Sequence, residues 1–72
     1  MKNRALFLAL SNDIFSKQDF ADRVGIEMDQ VDSLFYEKND ITPDTIKAVA
    51  LYFNVSVNYV LCQDEAEGHA SL

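Results

Sequence analysis

Apolar residues recur along the chain at the three- and four-residue spacing that lines one side of a helix, and short polar turns interrupt them. The first run predicts a helix over about Lys2 to Asp13, with Ala5, Leu6, Ala9 and Leu10 as its core stripe and Phe7 and Leu8 widening it. Ile14 and Phe15 follow as plugs of the turn. Ser16-Lys17-Gln18-Asp19 reads as a helix start: the Ser16 hydroxyl accepts from an exposed amide, and Asp19 reaches back in a capping box. Phe20, Ala21 and Val24 form the buried side of this second helix. Gly25 ends it, because a residue without a Cβ takes a positive φ freely.

Ile26 plugs the next turn, and a third helix is predicted from about Met28 to Tyr36, with Val31 and Leu34 inward and Phe35 beside them. Asn39-Asp40 makes a loop. Thr42-Pro43-Asp44 then supplies a cap, a proline at the first helical position and an acid in the first turn. Ile46, Val49, Ala50 and Phe53 give the fourth helix its core face; Asn54 suits a left-handed C-terminal position, and Val55 plugs again. Ser56 caps a short fifth helix holding Val57, Val60 and Leu61. The predicted fold class is all-α: five helices in one domain over residues 1–62, followed by a flexible acidic tail over 63–72.

A chain of 72 residues with 49% hydrophobic content supports one small core. Such a domain buries only about 60% of its unfolded surface, so binding a partner adds usefully to its stability. Cys62 is the only cysteine, which excludes a disulfide framework or a cysteine-based metal site within one chain and fits a reducing cytoplasm. The run Ala5 to Leu10 after Lys2 and Arg4 is too short for a signal peptide and no cleavage site follows it, and no stretch approaches the ~20 apolar residues of a membrane span. The folded part has no histidine, no glycine-rich phosphate loop and no metal-ligand spacing, and His69 reads as a surface residue of the tail. The expectation is a protein that is not an enzyme and needs no cofactor, metal or small-molecule substrate.

Charge changes the picture more than composition does. The net charge is −6, and Asp13 to Asp44 holds nine acids against Lys17, Arg23 and Lys38. The third helix and its flanks, Glu27 to Glu37, read EMDQVDSLFYE, with four carboxylates and no Lys or Arg. Glu27 and Asp29 are partly explained by the helix dipole, which favours acids at an N-terminus by roughly 0.3–1 kcal/mol each. Asp32, in mid-helix, is not.

Ser16 to Ala21, then Val24-Gly25-Ile26, then Val31 and Leu34, then Thr42-Pro43, and finally Phe53-Asn54-Val55-Ser56 together resemble the Cro/CI-type helix-turn-helix family, over roughly Leu6 to Leu61. The resemblance implies a lambda-repressor-like domain whose third helix lies in the major groove. It places Glu27, Met28, Asp29, Gln30 and Ser33 at the reading positions and Lys17 where the family often has a phosphate-binding glutamine. Ser, Thr, Gln, Arg or Lys usually open that helix, and here Glu, Met and Asp do. A carboxylate ~6 Å from a phosphate is repelled by roughly 0.7 kcal/mol even in water, and phosphate neutralisation supplies most non-specific DNA affinity.

Acidity, length and the helix-turn-helix pattern together look like the small Mor-type antirepressors, modulators of repression, of temperate lactococcal phages. That resemblance implies a component of the lysis/lysogeny switch in the cytoplasm of a bacterial host. Its partner is the N-terminal helix-turn-helix domain of a CI-type phage repressor, bound as a heterodimer, with little or no direct DNA binding by the free protein. Glu27, Met28, Asp29, Gln30, Asp32, Ser33 and Tyr36 are the repressor-binding candidates. The competing readings are a Cro-like sequence-specific repressor, in which acids accept from cytosine N4, and an antitoxin-type module that binds a basic toxin.

Overall fold

The computed structural model describes residues 1–63 of the chain, and these are all-helical, with no strand. The helices are α1 (Ala5–Ser11), α2 (Lys17–Val24), α3 (Met28–Phe35), α4 (Pro43–Phe53) and α5 (Val57–Val60). The acidic tail with His69, apart from Gln63, lies outside the described residues. None of these helices is long and apolar enough to cross a membrane.

Side-chain oxygens start three of the helices: Ser16 Oγ accepts from the Asp19 amide, Thr42 Oγ1 from the Thr45 amide and Ser56 Oγ from the Tyr59 amide. Asp19 does not reach back to complete a capping box. Its carboxylate turns along the helix to Arg23 Nε at 2.8 Å, one turn on, where a full positive charge outcompetes a single amide. All five helices end alike. A residue of positive φ follows each, at Asp13, Gly25, Glu37, Asn54 and Cys62. The next amide then bonds a carbonyl five residues back: Ile14 to Ala9, Ile26 to Ala21, Lys38 to Ser33, Val55 to Ala50 and Gln63 to Asn58. This closes the otherwise unsatisfied carbonyls of the last turn, and at Ile14, Ile26 and Val55 it swings an apolar side chain back onto the core.

The core centres on Phe20, which is fully buried and meets Phe35 edge-on at 5.0 Å and Phe53 at 6.0 Å. Val31, Leu34, Val49 and Val60 close around it. The amide of Arg4 bonds the Val60 carbonyl, and Asn3 Nδ2 bonds the Leu34 carbonyl, so the start of α1 is pinned to both α5 and the end of α3.

The register of α1 differs from the one its apolar run predicts. Ala5, Leu8 and Ala9 are its buried face, and Leu6, Phe7 and Leu10 are exposed. With six apolar residues in succession, periodicity alone cannot choose a face. The two alanines choose it here, because their small side chains let the helix approach closely. Phe15 does not plug the turn beside Ile14 either: Ile14 is buried, whereas Phe15 is 74% exposed. The left-handed Asp13 turns one of the two inward and leaves its neighbour outside.

Candidate functional site

Gly25, Ile26 and Glu27 join α2 to α3, and the tight turn presents the N-terminus of α3 at the surface. Glu27 is the N-cap residue, extended at φ −76°, and its side chain makes no capping bond. Glu27 and Asp29 are exposed and take part in no ion pair among the described residues. Met28 is half-buried against the core.

Gln30 has a structural task. Its Nε2 donates to the Asp40 carbonyl at 3.3 Å and its Oε1 accepts from the Thr42 amide at 3.0 Å, which ties α3 to the start of α4. Ser33 points inward: it is buried, and its hydroxyl donates to the Asp29 carbonyl at 3.0 Å. Ser33 is therefore not available as a surface contact. α3 is covered on two sides, by α1 and by α2, so more of its circumference is buried than a single stripe, and a small side chain fits there.

Asp32 and Tyr36 meet at Lys17. Asp32 Oδ1 is shielded from solvent, and its neighbour is the Lys17 ammonium at 2.9 Å. The same ammonium donates to the Tyr36 hydroxyl at 2.8 Å and lies 4.6 Å from the centre of its ring. The Tyr36 hydroxyl first, and the Asp32 carboxylate second, raise the Lys17 pKa above its ordinary 10.5, so the charge is permanent at physiological pH. Lys17 thus bridges the first turn of α2 to the end of α3.

The other two bases of the acidic region are also engaged. Arg23 is held by Asp19, with Tyr52 as a second partner, and Lys38 stands close enough to Asp40 to favour its charged form. Asp13, Asp22, Glu27, Asp29, Glu37 and Asp44 are left with no ion pair among the described residues. Three of these, Asp22, Glu27 and Asp44, line an open groove of about 750 Å³ between α2 and the N-terminal part of α4, together with Ala21, Ile26 and Ala48; among the described residues no Lys or Arg lines it.

Of the seven residues marked by the sequence, Glu27, Asp29 and Tyr36 are exposed, Met28, Gln30 and Asp32 are half-buried, and Ser33 is buried. Sequence reasoning missed the groove, because Asp22, Glu27 and Asp44 come from three separate segments. It also missed Phe15, whose signal is only that a second apolar residue directly follows a turn plug.

Among the described residues, no group of three or more His, Cys, Asp or Glu side chains could hold a metal ion. The arrangement can present fixed negative charge beside an aromatic ring, a surface suited to a cationic partner. Compared with family models, curated proteins and solved structures, the chain matches none of them.

Proposed function

We propose that this chain is a helix-turn-helix protein of the Cro/CI architecture that acts as an antirepressor. It docks the acidic surface of α2 and α3 onto the basic DNA-binding domain of a CI-type phage repressor, forms a heterodimer with it, and keeps it from its operators in the lysis/lysogeny switch. The observation that carries this reading is the state of Lys17. It is the one base at the start of α2, where a groove-binding helix pair needs a phosphate contact, and its ammonium is already engaged, at the surface, by Asp32 and Tyr36 of the same chain. The surface that remains has the sign of DNA itself.

Charge complementarity supports a protein partner whose recognition face carries Lys and Arg. Opposite potentials speed encounter and fix orientation, and like potentials exclude the polyanion. A Cro-like DNA reader would need cations at the start of α2 to offset Glu27 and Asp29. An antitoxin-type module would use the same charges on a basic toxin, and the choice of repressor over toxin rests on the helix-turn-helix resemblance.

A gel shift with operator DNA and the repressor tests the reading. The chain should abolish the repressor–operator band and give no band of its own at physiological salt. Glu27→Lys combined with Asp29→Lys should weaken the inhibition at least tenfold, about 1.4 kcal/mol. This pair is preferable to a reversal at Asp32, which would also break the Lys17 ion pair inside the domain. A direct shift by the chain alone would reassign it as a DNA reader.

A further inference from the structure

We infer that Phe15 and Tyr36 are the aromatic anchors of the repressor-facing surface, and that they receive the stem and head of an Arg or Lys side chain from the partner's recognition helix. The inference rests on the antirepressor reading and names where its affinity resides.

Phe15 is 74% exposed and Tyr36 is 62% exposed; Phe20, Phe35 and Phe53 build the core, and the remaining phenylalanine, Phe7, is exposed on α1, away from α2. Phe15 lies two residues before Lys17, so their Cα atoms are within about 7 Å. The Lys17 ammonium in turn touches the Tyr36 hydroxyl. Both residues therefore belong to the region where the start of α2 meets the end of α3. An aromatic side chain carries 150–250 Å² of buriable area, so the two rings offer roughly 200–300 Å². That is about a third of the ~800 Å² that each partner contributes to a stable interface.

Electrostatic complementarity sets rate and orientation more than affinity, so an acidic surface needs an apolar centre to hold what it attracts. The chemistry of the occupant follows from the contact already made inside the domain. Lys17 lies over one face of the Tyr36 ring with a carboxylate beside it, so the ring suits a cation, and a partner's side chain meets the face that Lys17 leaves open. A partner residue with an aliphatic stem and a charged head matches an exposed aromatic ring on a surface that also carries the exposed carboxylates of Glu27 and Asp29.

Calorimetric titration of the isolated CI-type repressor DNA-binding domain with the full chain tests this. Wild-type chain that fails to bind overturns the antirepressor reading itself. Where wild type binds, Phe15→Ala and Tyr36→Ala should each weaken the complex 10- to 100-fold, with thermal melting of free Phe15→Ala close to wild type because its side chain is exposed; Tyr36→Phe, which loses the hydroxyl bond to Lys17 but keeps the ring, should bind within a few fold of wild type. Leu51→Ala, at the more exposed Leu51 of α4, should bind as wild type does. Binding within twofold of wild type for both Phe15→Ala and Tyr36→Ala, or an equal loss for Leu51→Ala, overturns the anchor assignment while leaving the antirepressor reading in place.

Discussion

Ser33 and Asp40 illustrate how two acceptors compete for one hydroxyl. The buried Ser33 hydroxyl donates to the Asp29 carbonyl at 3.0 Å, and the Asp40 carboxylate is the alternative acceptor for its single proton. Ser33 is the main cause that holds the Asp40 pKa below its ordinary 3.8; the Asp40 amide and Lys38 act in the same direction, against partial desolvation. A carboxyl whose pKa is depressed on folding adds stability that is complete above its unfolded pKa and disappears as pH falls through the folded one. Asp40→Asn should accordingly be less stable than wild type near neutrality, and the gap between the two should close as the pH falls below the ordinary 3.8 and through the lowered value of the folded chain. Paired thermal melts across that range check it; a gap that stays constant would mean that the carboxylate charge contributes nothing. Ser33 also marks the limit of residue-level reading. The helical spacing of Val31 and Leu34 identified the inward direction of α3 correctly, but nothing in the sequence shows that two neighbouring helices cover α3 and bury the serine between them.

At the scale of the element, helix starts were far more legible than helix ends. Ser16, Thr42 and Ser56 announce their caps, since a hydroxyl before an apolar-periodic run has one obvious task. Gly25 and Asn54 announce left-handed ends. Asp13, Glu37 and Cys62 adopt the same conformation without announcing it, because the carbonyls of the last turn demand the turn whatever residue is present. The misassigned face of α1 has a related cause: six apolar residues in a row carry no phase.

The shared ending predicts opposite outcomes for two substitutions. A left-handed non-glycine residue costs roughly 1–2 kcal/mol, and glycine returns 0.5–1 kcal/mol of that through its looser unfolded chain. Glu37→Gly should then raise stability by roughly 0.5–1 kcal/mol, equivalent to several degrees in melting temperature for a domain of this size. Gly25→Ala should lower it by about 1 kcal/mol. No atom lies within 4 Å of an added Cβ at Gly25, so the loss is purely one of backbone conformation. Urea denaturation of the two variants against wild type measures both; a stabilised Gly25→Ala would mean that the backbone relaxes at no cost.

Across the whole molecule, the same excess of negative charge acts on the fold and on the proposed complex in opposite ways. Nine acids and three bases occupy Asp13 to Asp44, and the described residues of that region contain two ion pairs, Lys17–Asp32 and Arg23–Asp19, both substantially solvent-exposed. Exposed pairs of this kind contribute about 0–1 kcal/mol, whereas the unpaired carboxylates repel one another throughout the folded chain. Salt shortens the reach of both effects, to about 8 Å at physiological ionic strength and about 3 Å at 1 M. Repulsion between the many unpaired groups acts over longer distances than the two close contacts, so screening removes more of it. The free chain should therefore melt at a higher temperature in 0.5 M than in about 0.02 M sodium chloride. Association with a basic partner should respond in the other direction. Its rate constant should fall by about tenfold or more over the same range, while dissociation, governed by the apolar centre, changes little. Melting curves and stopped-flow mixing at matched salt concentrations read the two trends independently. A melting temperature that falls with salt would mean that the two ion pairs outweigh the excess acids. An association rate indifferent to salt would remove electrostatic attraction as the basis of recognition, because a net charge of −6 that did not steer encounter would leave the acidic surface without a role in binding.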